Sequence, residues 1–299
     1  MIDPVAFTIP IINISIRWYG IIMITGILVG AWITVRGVQR KGENPDHVWD
    51  ALVWAIPAGI IGARLWYVVN DILGGGSHYL EHPISIINIP EGGLHYYGAL
   101  LFGGVAAYAY VRRHKLDMRL FLDSVALALL ISQALIRPAN YINQELYGPP
   151  TDLPWGIPID APFRRPPWND LSLYPVETTR FHPAFAYEMV WNFAAAGLLF
   201  WVSRRFSDKL RPGAQFAGWL ILAGVGRVIL EWFRPDQPRV PGTDISYTRI
   251  VAALMALVGV VWLLVRYDVL RLPFLSPGST SYRIAPSEPA DSDSPEEPV

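Results

Sequence analysis

Seven apolar windows, each near the length of a membrane crossing, limit this fold more than any other feature. They lie at about 17–36, 48–70, 94–111, 119–136, 183–203, 214–233 and 247–266. A helix needs about 20 mostly apolar residues to cross the hydrocarbon of a bilayer. Lipid-exposed backbone must satisfy its own hydrogen bonds, so helices are expected, and the alternation of barrel strands is missing. Charged residues make up only 16% of the chain, against roughly 25% in soluble domains, so much of the surface is expected to face lipid. The expected fold is an all-α integral membrane protein with about seven transmembrane helices.

The basic residues set its orientation. Arg36, Arg40 and Lys41 fall in the first connection, Arg112, Arg113, Lys115 and Arg119 in the third, and Arg204, Arg205, Lys209 and Arg211 in the fifth. The second connection, 71–93, has no Lys or Arg. Short basic loops stay on the cytoplasmic side, which places the N-terminus outside and the C-terminus in the cytoplasm. Nothing basic precedes Arg17, so the first window does not read as a cleaved signal peptide. The Pro-rich, aromatic fourth connection, 137–182, reads as an ordered extracytoplasmic cap between helices 4 and 5. Residues 1–275 form the transmembrane domain. Residues 276–299, rich in Ser, Pro and acidic side chains, read as a disordered cytoplasmic tail.

Charged side chains at membrane depth are costly and mark function or internal pairing. Arg64, Arg137 and Arg227 all fall toward the extracytoplasmic ends of their spans, where three guanidiniums could meet one anion. The planar fork of Arg suits phosphate, and the abundant anion at that depth is a phospholipid headgroup. Glu231 lies four residues after Arg227, on the same helix face, so an internal ion pair is the competing reading. Asn140, Asn143 and Glu145 follow Arg137 closely and could hold glycerol hydroxyls or phosphate oxygens; Asn is equally at home capping a helix end. His182 precedes Pro183 at the start of the fifth span, where a helix-initiating role competes with a catalytic one. Tyr19 and Tyr97 stand at span starts, where tyrosines commonly anchor a helix.

Several functions are excluded. With no cysteine, the chain has no thiol nucleophile, disulfide or thiolate-bound metal. Its only lysines are Lys41, Lys115 and Lys209, all in connections, so no retinal Schiff base forms within a span. No HExxH zinc motif occurs, and neither metal nor cofactor is expected. The near-neutral charge gives no case for nucleic acid. A transporter of an anionic lipid or solute stays open as the alternative to an enzyme, although it predicts pseudo-symmetric halves that the sequence does not show.

The segment Arg137, Ala139, Asn140, Tyr141, Asn143, Glu145 and Gly148 matches a motif of the bacterial prolipoprotein diacylglyceryl transferases. RWYG (17–20), GARLWY (62–67), GGLHYYG (92–98), LPWGIPID (153–160), FHPAFAYE (181–188) and GRVILEWFR (226–234) follow the family order. The chain resembles that family from about residue 13 to 266. The resemblance implies transfer of a diacylglyceryl group from phosphatidylglycerol to the lipobox cysteine of a preprolipoprotein signal peptide. A thioether forms and glycerol phosphate leaves, at the bacterial inner membrane. It implies that Arg137 binds phosphatidylglycerol, that Arg227 is a second essential arginine, and that Asn140, Asn143, Glu145 and Tyr19 support them. The reacting thiol belongs to the substrate, in keeping with a chain that has none.

The chain departs from the family pattern at four places. Ile136 replaces a frequent Gly and Pro138 a frequent aliphatic residue. Tyr97 stands where some members carry a His considered as general base, and a tyrosine, titrating near about 10 in water, is a poor base at neutral pH. His95, Glu145 and His182 are alternative bases. The arginines could instead stabilise the thiolate with no strong base. Arg249 stands where Gln is common and has no assigned role.

Overall fold

The computed structural model describes residues 2–10, 14–88, 92–234, 237–273 and 278–284. A hairpin of β1 (Val5–Ile9) and β2 (Ile14–Arg17) precedes the first helix. The helices are α1 (Trp18–Arg40), α2 (Asp46–Leu73), α3 (His78–Glu81), α4 (Tyr96–Arg113), α5 (Met118–Ile142), α6 (Ala184–Arg205), α7 (Ala214–Leu230) and α8 (Tyr247–Arg266). A 3-10 turn, Glu231–Phe233, extends α7. Six of these are long and apolar enough to cross a membrane: α1, α2, α5, α6, α7 with its 3-10 turn, and α8. Only 17% of the α8 span is buried within the protein. Val251, Leu254, Leu257 and Val258 point outward from it, an arrangement suited to lipid and not to water. The chain is a multi-pass integral membrane protein.

The expected span at 94–111 is a helix, α4, but falls short of the other six in apolarity. Its 18 residues include four tyrosines and end on Arg112 and Arg113. The hairpin ahead of α1 was not expected from hydropathy. The fourth expected window ended at 136, whereas α5 runs on to Ile142 with Pro138 inside it. Proline cannot donate to the carbonyl four residues back, a loss that membrane helices tolerate where other groups take over. Arg137 therefore sits on the last turns of a helix and not in a loop.

The described residues fall into two compact units, one from 1–37 and 122–281, the other from 38–121 with 282–284. In the first, small residues let helices approach closely, as is common in membranes. Gly26 and Gly30 of α1 face Ser132 of α5, and the Ser132 hydroxyl donates to the Gly26 carbonyl at 2.8 Å. Ala126 and Leu130 of α5 and Ala195, Ala196 and Leu199 of α6 form a buried core, joined by Phe216, Trp219 and Leu222 of α7. The buried Asp123 carboxylate accepts from the amides of Gly213 (2.5 Å) and Phe216 (2.8 Å) at the start of α7. There the unpaired amides and the helix dipole favour a negative charge. Residues 143–182 have a core of their own, made of Tyr147, Ile159, Trp168 and Phe181.

In the second unit α2 packs along α4 through Gly59 and Gly62 against Gly98, Ala99 and Gly103. Arg64, on α2, is buried and gives its guanidinium to four carbonyls, those of Ser85, Ile86 (2.8 Å), Gly92 (2.6 Å) and Gly93 (3.1 Å). In the same unit Arg283 ties to the α4–α5 connection, its amide donating to Asp117 at 2.8 Å and its guanidinium to the Lys115 carbonyl at 2.9 Å. The rest of the tail expected to be disordered, 276–277 and 285–299, lies outside the described residues.

Candidate active site

The site is built in the first unit from four chain segments: the end of α5, the start of α6, the end of α7 with its 3-10 turn, and the start of α8. Glu188, one turn into α6 and buried, is its centre. One carboxylate oxygen meets Arg137 at 2.8 Å. The other meets Arg227 at 2.9 Å and Arg234 at 3.5 Å. Arg227 also pairs with Glu231 at 2.8 Å, one helical turn along. Glu231 is buried and accepts a short hydrogen bond from the Ser246 hydroxyl. Ser246 in turn caps α8 by accepting from the Arg249 amide at 3.0 Å. Arg249 lays its guanidinium over the Trp232 ring, 4.7 Å from the centroid.

A second chain of bonds leaves Arg137 in the other direction. Its guanidinium donates to the Asn140 carboxamide oxygen at 3.2 Å, and the Asn140 amide donates to Glu145 at 2.9 Å. Asn143 reaches the same Glu145 oxygen at 3.4 Å. Both carboxamides thus turn toward Glu145 and not toward the helix backbone, so capping does not explain them. Arg137 Nε is enclosed and has no partner among the described residues. An unmatched buried donor of this kind asks for an acceptor that the described residues do not supply.

The turn that carries Glu145 is held under strain. Gln144 (φ 52°) and Leu146 (φ 55°) are both left-handed, at a cost of about 1–3 kcal/mol each for side chains of this kind. Surrounding bonds hold them there. Gln144 and Asp160 exchange two hydrogen bonds of 2.7 Å. The Leu146 carbonyl accepts from the Phe185 amide at 3.0 Å, and the Gly148 amide donates to the His182 carbonyl at 2.8 Å. A Cβ on Gly148 would stand 2.9 Å from the Phe233 carbonyl, which explains the need for glycine at the end of the motif.

His182 lies beside this turn, its ring against Phe233 and Tyr187. Trp155 donates to the Tyr187 hydroxyl at 2.8 Å, and that hydroxyl is 2.9 Å from His182 Nδ1. Indole N–H only donates, so the Tyr187 hydroxyl accepts from Trp155, and its own proton finds an acceptor when it donates to Nδ1 with the imidazole proton on Nε2. Burial pushes the His182 imidazole below its ordinary value, so the neutral ring predominates at neutral pH. Its basic nitrogen is engaged by Tyr187.

Of the residues singled out in the sequence, Arg137, Arg227, Glu231, Asn140, Asn143 and Glu145 come together here. Tyr19 lies on the first turn of α1, partly buried, in the same unit. Arg64 and Tyr97 belong to the second unit. Tyr97 is exposed at the start of α4, beside His95 and Tyr96. The sequence places Glu188 beside His182 at the start of the fifth span without giving it a role, and does not single out Arg234 or Ser246. Glu188 and Arg234 each stand inside a quoted block, FHPAFAYE and GRVILEWFR, and a charge in such a block was the available signal.

The family described as prolipoprotein diacylglyceryl transferase matches residues 4–265. This chain belongs to that family. A relative from Chloroflexus aggregans is 38% identical over 244 residues, covering 79% of this chain and 78% of its own. Relatives from Corynebacterium efficiens (39% over 230 residues; 75% and 70% covered) and Leifsonia xyli (41% over 232; 76% and 67%) are similarly alike. All three are named phosphatidylglycerol–prolipoprotein diacylglyceryl transferase. The resemblance seen at 137–148 thus extends over most of the chain, and with it comes the transferase class. Nothing in these comparisons favours a transporter.

Proposed function

We propose that this enzyme transfers the diacylglyceryl group of phosphatidylglycerol to the thiol of a prolipoprotein cysteine, the first step of lipoprotein maturation. The observation that carries this reading is the meeting of Arg137, Arg227 and Arg234 at Glu188, in a chain of this family. The thiolate sulfur attacks the diacylglyceryl carbon that is bonded to a phosphate oxygen. A carbon–sulfur bond forms, the carbon–oxygen bond breaks, and its electron pair stays on the phosphate oxygen. The guanidiniums meet that growing charge, the usual way a site favours a transition state. Arg137 and Arg227 bind the phosphate. Asn140, Asn143 and Glu145 hold the glycerol hydroxyls, with Tyr19 and Glu231 in support. Arg64 orders the segment ahead of α4.

No dedicated base is required. A free thiol titrates near about 8.5 and is a few per cent ionised at neutral pH; a field of arginines raises that fraction. The thiol proton leaves to solvent. The cysteine belongs to the lipobox of a preprolipoprotein signal peptide, and the enzyme resides in the bacterial inner membrane. Seven spans are read, α4 being the seventh, with the N-terminus outside, the C-terminus in the cytoplasm and 143–182 as an extracytoplasmic cap.

The test is to incubate the purified protein in micelles with phosphatidylglycerol and a lipobox peptide. A mass gain of one diacylglyceryl group on the peptide cysteine is expected; no gain where another family member works overturns the reading. Arg137→Ala is expected to lower transfer by roughly a hundredfold or more, since one donor to a transition-state oxyanion is commonly worth that much. A folded Arg137→Ala protein with near-normal rates removes the site assignment.

A further inference from the structure

We infer that Glu188 is a charge-balancing and positioning residue that lets the site hold a phosphodiester and release a phosphomonoester. The inference rests on the transferase reading. Phosphatidylglycerol carries one negative charge on its phosphodiester. As the carbon–sulfur bond forms and the carbon–oxygen bond breaks, the phosphate becomes a monoester. The second ionisation of phosphate monoesters falls near about 6, so glycerol phosphate leaves as a dianion, while the thiol proton goes to solvent. A cluster of bare guanidiniums would hold this product more tightly than the substrate and stall after one turnover.

The charges in contact at the site suit the substrate. Among the described residues Arg137, Arg227 and Arg234 face Glu188 and Glu231, so the two carboxylates cancel much of the guanidinium charge. A site offset in this way holds a diester monoanion and grips a dianion less firmly than bare guanidiniums would. Glu145 stands one carboxamide farther out, beyond Asn140. Glu188 is placed to set this balance because it is buried and both its oxygens are in ion contact. A carboxylate so placed repels a dianion about twice as strongly as a monoanion. The same contacts draw together guanidiniums that would otherwise repel one another, so Glu188 shapes the site as well as tuning it.

The experiment compares product inhibition with substrate binding. Glu188→Gln keeps the shape and removes the charge. Its inhibition constant for glycerol phosphate is expected to fall by roughly tenfold or more, as for other close charge pairs. Its time course is expected to show one fast turnover followed by a slower steady state. Glu188→Asp keeps the charge with less reach; it should show near-normal product inhibition and a raised KM for phosphatidylglycerol. Unchanged or weaker product inhibition in a folded Glu188→Gln protein overturns the inference, since a purely structural residue would loosen both ligands. The unaltered enzyme supplies a test independent of any variant. It should be inhibited no more strongly by glycerol phosphate than by glycerophosphoglycerol, the diester headgroup, and a clear preference for the monoester overturns the idea. An unaltered enzyme that transfers no lipid would instead sink the transferase reading.

Discussion

Glu188 has two carboxylate oxygens, and guanidiniums meet both. Deleting one partner of a buried ion pair leaves the other charge unpaired, at a cost of about 3–5 kcal/mol, so each of these side chains supports fold and chemistry together. Tyr97 is the contrasting residue. It is exposed, and its hydroxyl has no hydrogen-bond partner among the described residues. Tyr97→Phe is therefore expected to keep more than about a third of the transfer rate, because a positioned general base is worth roughly a hundredfold or more and would show at once. Complete loss, measured in the same peptide assay, would give Tyr97 the base's role. At this scale the sequence exposed Arg137, Arg227 and Glu231 because a charge inside an apolar run stands out. It could not show that Glu188 joins them, because the pairing spans residues 137 to 227 and no local spacing encodes a contact of that range.

At the scale of elements, helix pairs are set by where side chains are missing. Between α2 and α4 a Cβ on Gly62 would stand 2.6 Å from the Gly98 carbonyl and closer still to the Phe102 side chain. Gly62→Leu is expected to destabilise the pair by about 1–3 kcal/mol, the usual cost of overpacking. Thermal unfolding in micelles checks this, with Gly104→Leu as the control, since a Cβ at Gly104 meets nothing within 4 Å. Equal effects of the two substitutions would mean that close packing is not what holds α2 to α4. The turn at 143–148 belongs to this scale too. Its motif was legible, but two left-handed residues around Glu145 were not, since Gln and Leu carry no signal for that conformation. The bonds from Asp160, Phe185 and His182 impose it.

For the whole molecule, orientation is the property the basic connections were read for. The chain has no cysteine, so every introduced cysteine is the only one. In right-side-out membrane vesicles, a membrane-impermeant maleimide is expected to label Ser77→Cys and Ser172→Cys. Asn44→Cys and Ser207→Cys should be labelled only after permeabilisation, and the reverse pattern would invert the topology. By itself the sequence determined the membrane class, the positions of the helices and the motif of a transferase. These rest on local facts: apolar run length, which the bilayer fixes, and charges that lipid does not tolerate without a reason. Only the tertiary structure decided that α5 carries Arg137 past Pro138, that Arg64 spends its guanidinium on four carbonyls, and that Arg137, Arg227 and Arg234 meet at one carboxylate. A guanidinium's partner depends on which segments lie within a few ångströms of it in space, and hydropathy along the chain holds no record of that.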